Sequence, residues 1–355
     1  MVFSIYSSFE KGDRFPVSSS SGMELSNTGV EWRNGGAVMS SGEEGELSDN
    51  AYHVSVLANE VVEALAVGEE DVVFDGTLGG GGHSERLLES GARVIACDRD
   101  TAALSYARER LLKYGERFCA YHGNYDQMDQ WLGEASEGKG VNAIILDLGI
   151  SSKHVDDGER GFSFAKDGPL DMRMDSTAEL TAEHLVNEGD EAELRRIFWE
   201  YGEERSARSV VKAIVRERAD SRIETTEQLA TLIESVIPRR GRRHPATKVF
   251  QALRIEVNDE LGHLRRALEK TSSCLKPGGR LAIISFHSLE DRIVKRFLRK
   301  HSQATLDRPE WPEPKLNPEC FFSLPMKKPR IPGTYELEAN PRSRSAKLRV
   351  AVRLD

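Results

Sequence analysis

The stretch Val72–His83, VVFDGTLGGGGH, sets the reading of the whole chain. An apolar run ends in Asp75, a glycine chain follows, and HSERLLES after it is compatible with a helix. Strand, glycine turn and helix in that order form the first unit of a nucleotide-binding α/β sheet. Without a Cβ, Gly79–Gly82 let the backbone bend sharply and approach a ligand closely.

Working outward, Leu57, Val61 and Leu65 recur at helical spacing and predict an amphipathic helix ahead of the first strand. Downstream, ARVIACDRD is a second strand ending at Asp98, and a helix from about Thr101 to Leu112 follows it. FCAYHGNY is a third strand, and VNAIILDLGIS is a fourth, apolar until Asp147. Apolar strands alternating with helices imply a parallel sheet covered on both faces. The alternation stops between Ser151 and about Val257, where Leu194, Ile197, Phe198 and Tyr201 mark one helix and Val210, Val211, Ile214 and Val215 another. Thr225 with Gln228 reads as a capping box opening a third. Val257, Leu261, Leu264 and Leu268 then form a helix stripe, KPGG turns the chain, and RLAIISF is a fifth strand. A helix from Leu289 to about Lys300, a Pro-rich stretch from Ser302 to Arg344 and a final strand KLRVAVRL complete the chain. Residues 1–48, with SSSSG and SSGEEGE, lack either period and read as a disordered extension.

The totals exclude some classes. No apolar run approaches the roughly 20 residues that span a bilayer, so no membrane association is expected. A net charge of −9 argues against a uniformly basic nucleic-acid coat, although totals hide local patches. Cys97, Cys119, Cys274 and Cys320 lie far apart without metal-ligand spacing. They read as free thiols in a reducing, cytoplasmic setting, and no metal is expected.

Several positions carry chemistry. Asp98 lies about twenty residues beyond the glycines at the end of the next strand, where a carboxylate meets the hydroxyls of a ribose. NAD and S-adenosylmethionine both present an adenosine to such an edge. Four consecutive glycines followed by His83 fit the dinucleotide spacing G-x-G-x-x-G poorly, and a ligand without a pyrophosphate suits the turn better. Asp147, in LDLGISS, can accept hydrogen bonds from an amino group of the cofactor or of an acceptor base; otherwise it caps a loop. The loop Asp156–Asp175, DDGERGFSFAKDGPLDMRMD, is too long for a simple connection and reads as functional rather than merely mobile. RRGRRH (Arg239–His244), KKPRIPG and NPRSRSAKLR are basic patches suited to phosphates, or else solvated faces. His287, after the fifth strand, is either an acceptor contact or a structural histidine.

Together these pieces resemble one family, the bacterial 16S ribosomal RNA cytosine-N4 methyltransferases. HVSVLANEVVEAL, DGTLGGGGHS, CDRD, HGNY, LDLGISS, the 156–175 loop, FQALRIEVNDEL, GGRLAIISFHSLEDRIVKRF and NPRSRSAKLRVA follow the family's order from about Tyr52 to the end. The resemblance implies a class I (Rossmann-like) α/β methyltransferase sheet over 49–154 and 258–355, with an all-helical RNA-recognition domain inserted at 155–257. It implies S-adenosylmethionine as cofactor, held by Gly81, Gly82, His83, Asp98, Tyr125, Asp147 and His154. Tyr125 stands where the family usually has Phe, which suggests packing on the adenine, and His154 stands where it usually has Gln. The implied reaction is methylation of the exocyclic N4 amine of a cytosine in 16S rRNA within the small ribosomal subunit. Asp147 is the candidate catalytic residue, and Arg239, Arg240, Arg242 and Arg243 are candidate RNA contacts. The sequence leaves monomer and homodimer open. Rival readings are an NAD-dependent oxidoreductase and a non-catalytic ribosome-assembly factor on the same sheet.

Overall fold

A computed structural model of the chain describes residues 55–136, 138–239, 241 and 244–355. The extension expected at 1–48, and Arg240, Arg242 and Arg243 of the basic cluster, lie outside the described residues. Among the described residues no helix is long and apolar enough to cross a membrane.

Five strands, β1 (Val72–Asp75), β2 (Arg93–Asp98), β3 (Phe118–His122), β4 (Val141–Asp147) and β5 (Leu275–Ser285), pair in parallel in the order β3-β2-β1-β4-β5. Two later strands, β6 (Phe322–Ser323) and β7 (Lys347–Arg353), extend the sheet beyond β5 as β5-β7-β6. Successive strand residues point to opposite faces, and each face has its own apolar core. Val73, Val94, Ile145 and Ile284 belong to one, and Phe74, Ile95, Ile144 and Ile283 to the other. That double burial is why the strands are apolar throughout rather than alternating with polar residues. The strand order reverses beside β1, so the carboxyl ends of β1, β2 and β4 open onto one crevice.

Three sequence expectations need correction. The sheet is mixed, not wholly parallel, because β7 runs antiparallel to β5, with Lys347 opposite Ser285 and Val352 opposite Arg280. The Pro-rich stretch returns the chain to the carboxyl edge before β7 begins, so residues 341–345 arrive at the crevice. KPGG is not a turn ahead of β5 but part of it: Val141 pairs with Leu275 and Ala143 with Arg280, an irregularity that accommodates the extra residues. The stripe Val257–Leu268 spans two helices, Thr247–Val257 and Glu260–Cys274, broken where Asp259 takes φ +42°. Asn258 at the break is buried, and its side-chain amide donates to Met172 O while its Oδ1 accepts from Met174 N. Those two bonds secure the break to the 156–175 loop.

The described residues from Ser55 to Asp355 pack as one unit. Within it, the helices Ala182–Glu188, Glu191–Glu200, Ala207–Asp220, Thr226–Val236 and Thr247–Val257 surround a third core. It draws on residues from Phe162 to Leu253, with Ile150 and Val257 packed at its edge. The capping box at Thr225 and Gln228 opens one of these helices as expected. All four cysteines are free thiols.

Candidate active site

The glycine turn is held from beneath. Asp75, at the end of β1, is 1% exposed; its Oδ2 accepts from the Ser84 hydroxyl at 2.7 Å and its Oδ1 from Thr77 N at 3.1 Å. Strand and helix are thereby clamped together across the turn. Gly79 N donates to Asp98 Oδ2 at 2.7 Å, which ties the turn to the end of β2. Gly81 has φ +79°, a conformation that costs an L side chain energy. Gly82 opens the helix Gly82–Glu89, and a Cβ there would collide with the Ser55 hydroxyl.

Above this turn lies a cavity of about 470 Å³. Six of the seven residues implied as cofactor contacts line it: Gly82, His83, Asp98, Tyr125, Asp147 and His154. Gly81 does not. A Cβ on it would meet Leu111, 3.0 Å away, so the absent side chain lets the turn pack against the helix Thr101–Leu111.

Asp98 accepts from the main-chain N–H of Gly79 and of Asp100 on different oxygens, leaving further lone pairs for a pair of hydroxyls. Burial pushes its carboxyl above the ordinary range, against the pull of those two donors. Asp147 ends β4, its main-chain N–H bonded to the Thr77 hydroxyl at 2.6 Å. Its Oδ2 lies 3.4 Å from His83 Nε2, close enough for attraction but without a hydrogen bond. Burial alone would lower the pKa of His83; the Asp147 carboxylate outweighs it and leaves the imidazole above its ordinary value.

Among the described residues, six buried side-chain atoms lack a hydrogen-bond partner: both ring nitrogens of His83, Asn124 Oδ1, Asp147 Oδ1, His154 Nδ1 and His287 Nε2. Every one belongs to a residue lining this cavity. Buried polar atoms are nearly always satisfied, so their gathering in one hollow marks a site completed by a polar ligand.

His154 lines the cavity, but its Nε2 is committed to Asp100 Oδ2 at 2.6 Å, and its ring stacks on Phe162. Arg160 joins the same carboxylate at 3.1 Å and donates to the carbonyls of Arg173 and Met174. The long loop is thus pinned to the rim by a partly buried ion pair. Burial would raise Asp100, yet the imidazole and guanidinium hold its carboxyl far below the ordinary range.

The far wall comes from sequence-distant segments, of which the sequence marks His287 and the basic stretch near the chain end but not Arg254, Glu260 or Glu290. Arg254 donates to both oxygens of Glu260, at 2.8 and 2.9 Å. Glu260, His287 and Glu290 bring ligand-type atoms within 4.8 Å of one another, and the Arg254 guanidinium already neutralises one of the carboxylates. His287 caps the helix Ser288–His301: its Nδ1 accepts from Glu290 N, while Glu290 Oε2 accepts from the main-chain N–H of Phe286 and of His287. From the chain end, Pro341, Arg342, Arg344 and Ser345 line the rim, and Arg342 pairs with Asp156 through bonds of 2.5 and 3.0 Å. NPRSRSAKLR signalled a basic segment, but only the antiparallel β7 explains its presence here. Arg239 is exposed and does not line the cavity.

The family model described as MraW methylase family matches residues 50–354. Relatives named ribosomal RNA small subunit methyltransferase H include one from Paenibacillus sp. (strain JDR-2), 45% identical over 85% of this chain and 99% of its own. Another, from Geobacter sulfurreducens, is 47% identical with the same coverage of both chains. A third, from Paramagnetospirillum magneticum, is 47% identical over 85% of this chain and 95% of its own.

Proposed function

The chain belongs to the MraW methylase family, and from that premise we propose that it methylates the exocyclic N4 amine of a cytosine in 16S rRNA of the small ribosomal subunit, using S-adenosylmethionine. The observation that carries this reading is Asp147 Oδ1, buried and unpartnered at the end of β4 in the same cavity as the glycine turn and Asp98.

The residues present suit the cofactor. Asp98 has lone pairs for ribose hydroxyls, the partly buried Tyr125 offers a ring for the adenine, and Gly82, without a side chain, lets Ser55 pack against the turn at the cavity wall. The unpaired nitrogens of His83 and His154 Nδ1 are available to its amino-acid end. When bound, S-adenosylmethionine supplies a methyl group on a cationic sulfur that departs as a neutral thioether.

The N4 amine of cytosine is a poor nucleophile because its lone pair is delocalised into the ring. Asp147 Oδ1 accepts one N4 hydrogen, which raises the electron density on the nitrogen and holds it at near-attack distance, roughly 3–3.5 Å. The same carboxylate compensates the positive charge that the amine gains, until the methylated nitrogen releases one of its two protons to solvent, and His83 Nε2 lies 3.4 Å from the other carboxylate oxygen. A base within structured RNA must be extruded to reach such a pocket. The helical segment 155–257 presents the RNA, with Arg239, Arg240, Arg242 and Arg243 on its phosphates. The protein acts in the cytoplasm, where small subunits are assembled.

Incubating the purified protein with small ribosomal subunits and methyl-labelled cofactor, then analysing nucleosides by mass spectrometry, tests this. Label in N4-methylcytidine is expected. Incorporation at another position would correct the acceptor, and tight binding without any incorporation would make the chain a non-catalytic assembly factor.

A further inference from the structure

His287 ends in a donor that nothing in the fold uses. The imidazole Nδ1 accepts the main-chain N–H of Glu290, so the neutral ring carries its proton on Nε2. Nε2 sits 3.1 Å from Glu290 Oε1 but makes no hydrogen bond to it, and the atom is buried. The helix cap has therefore selected a tautomer and left its N–H unspent in the cavity wall. A backbone cap needs only a short acceptor such as Ser, Thr, Asp or Asn. A bulky ring in that place, with its far nitrogen unsatisfied, is more than capping requires.

Its position relates it to Asp147. Strands β4 and β5 are neighbours, with Asp147 level with Ile284, and His287 follows three residues further on. Both side chains line the same cavity, and each holds a buried polar atom without a partner. One is an acceptor, Asp147 Oδ1, and the other a donor, His287 Nε2–H. The edge of cytosine presents the complementary pair side by side: the N4 hydrogen donates and ring N3 accepts.

We propose that His287 Nε2 donates to N3 of the target cytosine while Asp147 accepts from its N4, so that two hydrogen bonds fix the base in its plane. This rests on the cytosine-N4 reading above. A single bond at N4 would let the ring pivot; the second removes that freedom and aligns the amine with the methyl group. Uracil carries a hydrogen on N3 and a bare oxygen at position 4, so both protein groups would then face like against like. The pair thus selects the base as well as orienting it.

The test separates the cap from the base recognition. His287→Asn keeps a capping oxygen for Glu290 N but is too short to supply a donor at the Nε2 position. Small subunits are reconstituted with cytosine or 3-deazacytosine at the target position, the latter having C–H in place of N3. On cytosine, His287→Asn is expected to lose about tenfold or more in kcat/KM, with melting temperature and cofactor affinity unchanged. On 3-deazacytosine, variant and wild type should react equally, because the base no longer offers the acceptor. A variant that loses the same factor on both bases overturns the proposal. If His287→Asn does not fold, His287→Ser, also a good cap and also too short, takes its place in the same comparison. Failure of the wild type to methylate cytosine at all would instead sink the reading on which this one rests.

Discussion

Replacing Asp147 by Asn probes the acceptor role with little disturbance of the fold. The two side chains have the same shape, and the bond from its main-chain N–H to the Thr77 hydroxyl, which fixes the strand end, does not involve the side chain. The Asp147 side chain makes no hydrogen bond through Oδ1 and only a 3.4 Å approach to His83 through Oδ2, so stability should change little. What disappears is the charge facing an amine that becomes cationic. A hydrogen bond to a charged group contributes about 1.5–3 kcal/mol, so kcat at saturating cofactor and ribosomal subunit should fall roughly 10- to 150-fold. The assay is steady-state methyl transfer, with melting temperature and cofactor affinity as controls. A second readout is the His83 imidazole followed by NMR. The Asp147 carboxylate is what holds its pKa up against burial, so in the variant it should titrate at lower pH. Full turnover in Asp147→Asn would refute the acceptor role. An increased KM for the cofactor with kcat intact would assign Asp147 to the cofactor's amino group instead.

Three other perturbations follow from the same geometry. Arg160→Ala strips a buried carboxylate, Asp100, of one cation, leaving His154 beside it, and takes the donor from the carbonyls of Arg173 and Met174; chemical denaturation should register a loss of about 1.5–3 kcal/mol. The depressed Asp100 carboxyl contributes stability above its unfolded pKa of about 3.9 and loses it as the pH falls further. The difference in unfolding free energy between wild type and Asp100→Asn should therefore shrink below about pH 4, and a gap independent of pH would show that charge is not what matters there. Replacing Arg239, Arg240, Arg242 and Arg243 together should weaken RNA binding and flatten its salt dependence by about 0.7–0.9 for each phosphate no longer neutralised. Cofactor affinity, read by calorimetry, should not move, and an equal loss of both would point to a folding defect.

What could be read from the chain divides along a physical line. β1, β2 and β4 are legible because burial on both faces makes each a short apolar run, and each ends in an acid: Asp75 braces the glycine turn, while Asp98 and Asp147 line the crevice. The glycine turn is legible because only hydrogen side chains allow that backbone, although the packing of Gly81 against Leu111 is not. Features decided by distant partners are less accessible. Nothing local distinguishes an antiparallel β7 from a parallel one, yet its direction brings Arg342 and Ser345 to the rim. The Asn258–Asp259 break is hidden inside a continuous apolar stripe, because the bonds that settle it run to Met172 and Met174, over eighty positions away. Arg254, Glu260 and Glu290 look like ordinary surface charges on helices until the fold buries the two carboxylates and pairs Arg254 with Glu260. His154 falls between the two: its place at the rim is legible, but its bond to Asp100 is not.

A crystal structure with S-adenosylhomocysteine and a cytidine nucleotide would show whether Asp147 meets the acceptor amine. The ribose hydroxyls are expected on Asp98, the adenine against Tyr125, and N4 of the nucleotide within hydrogen-bond reach of Asp147 Oδ1. A nucleoside bound elsewhere, or N4 turned away from Asp147 with the cofactor product in place, would contradict that expectation.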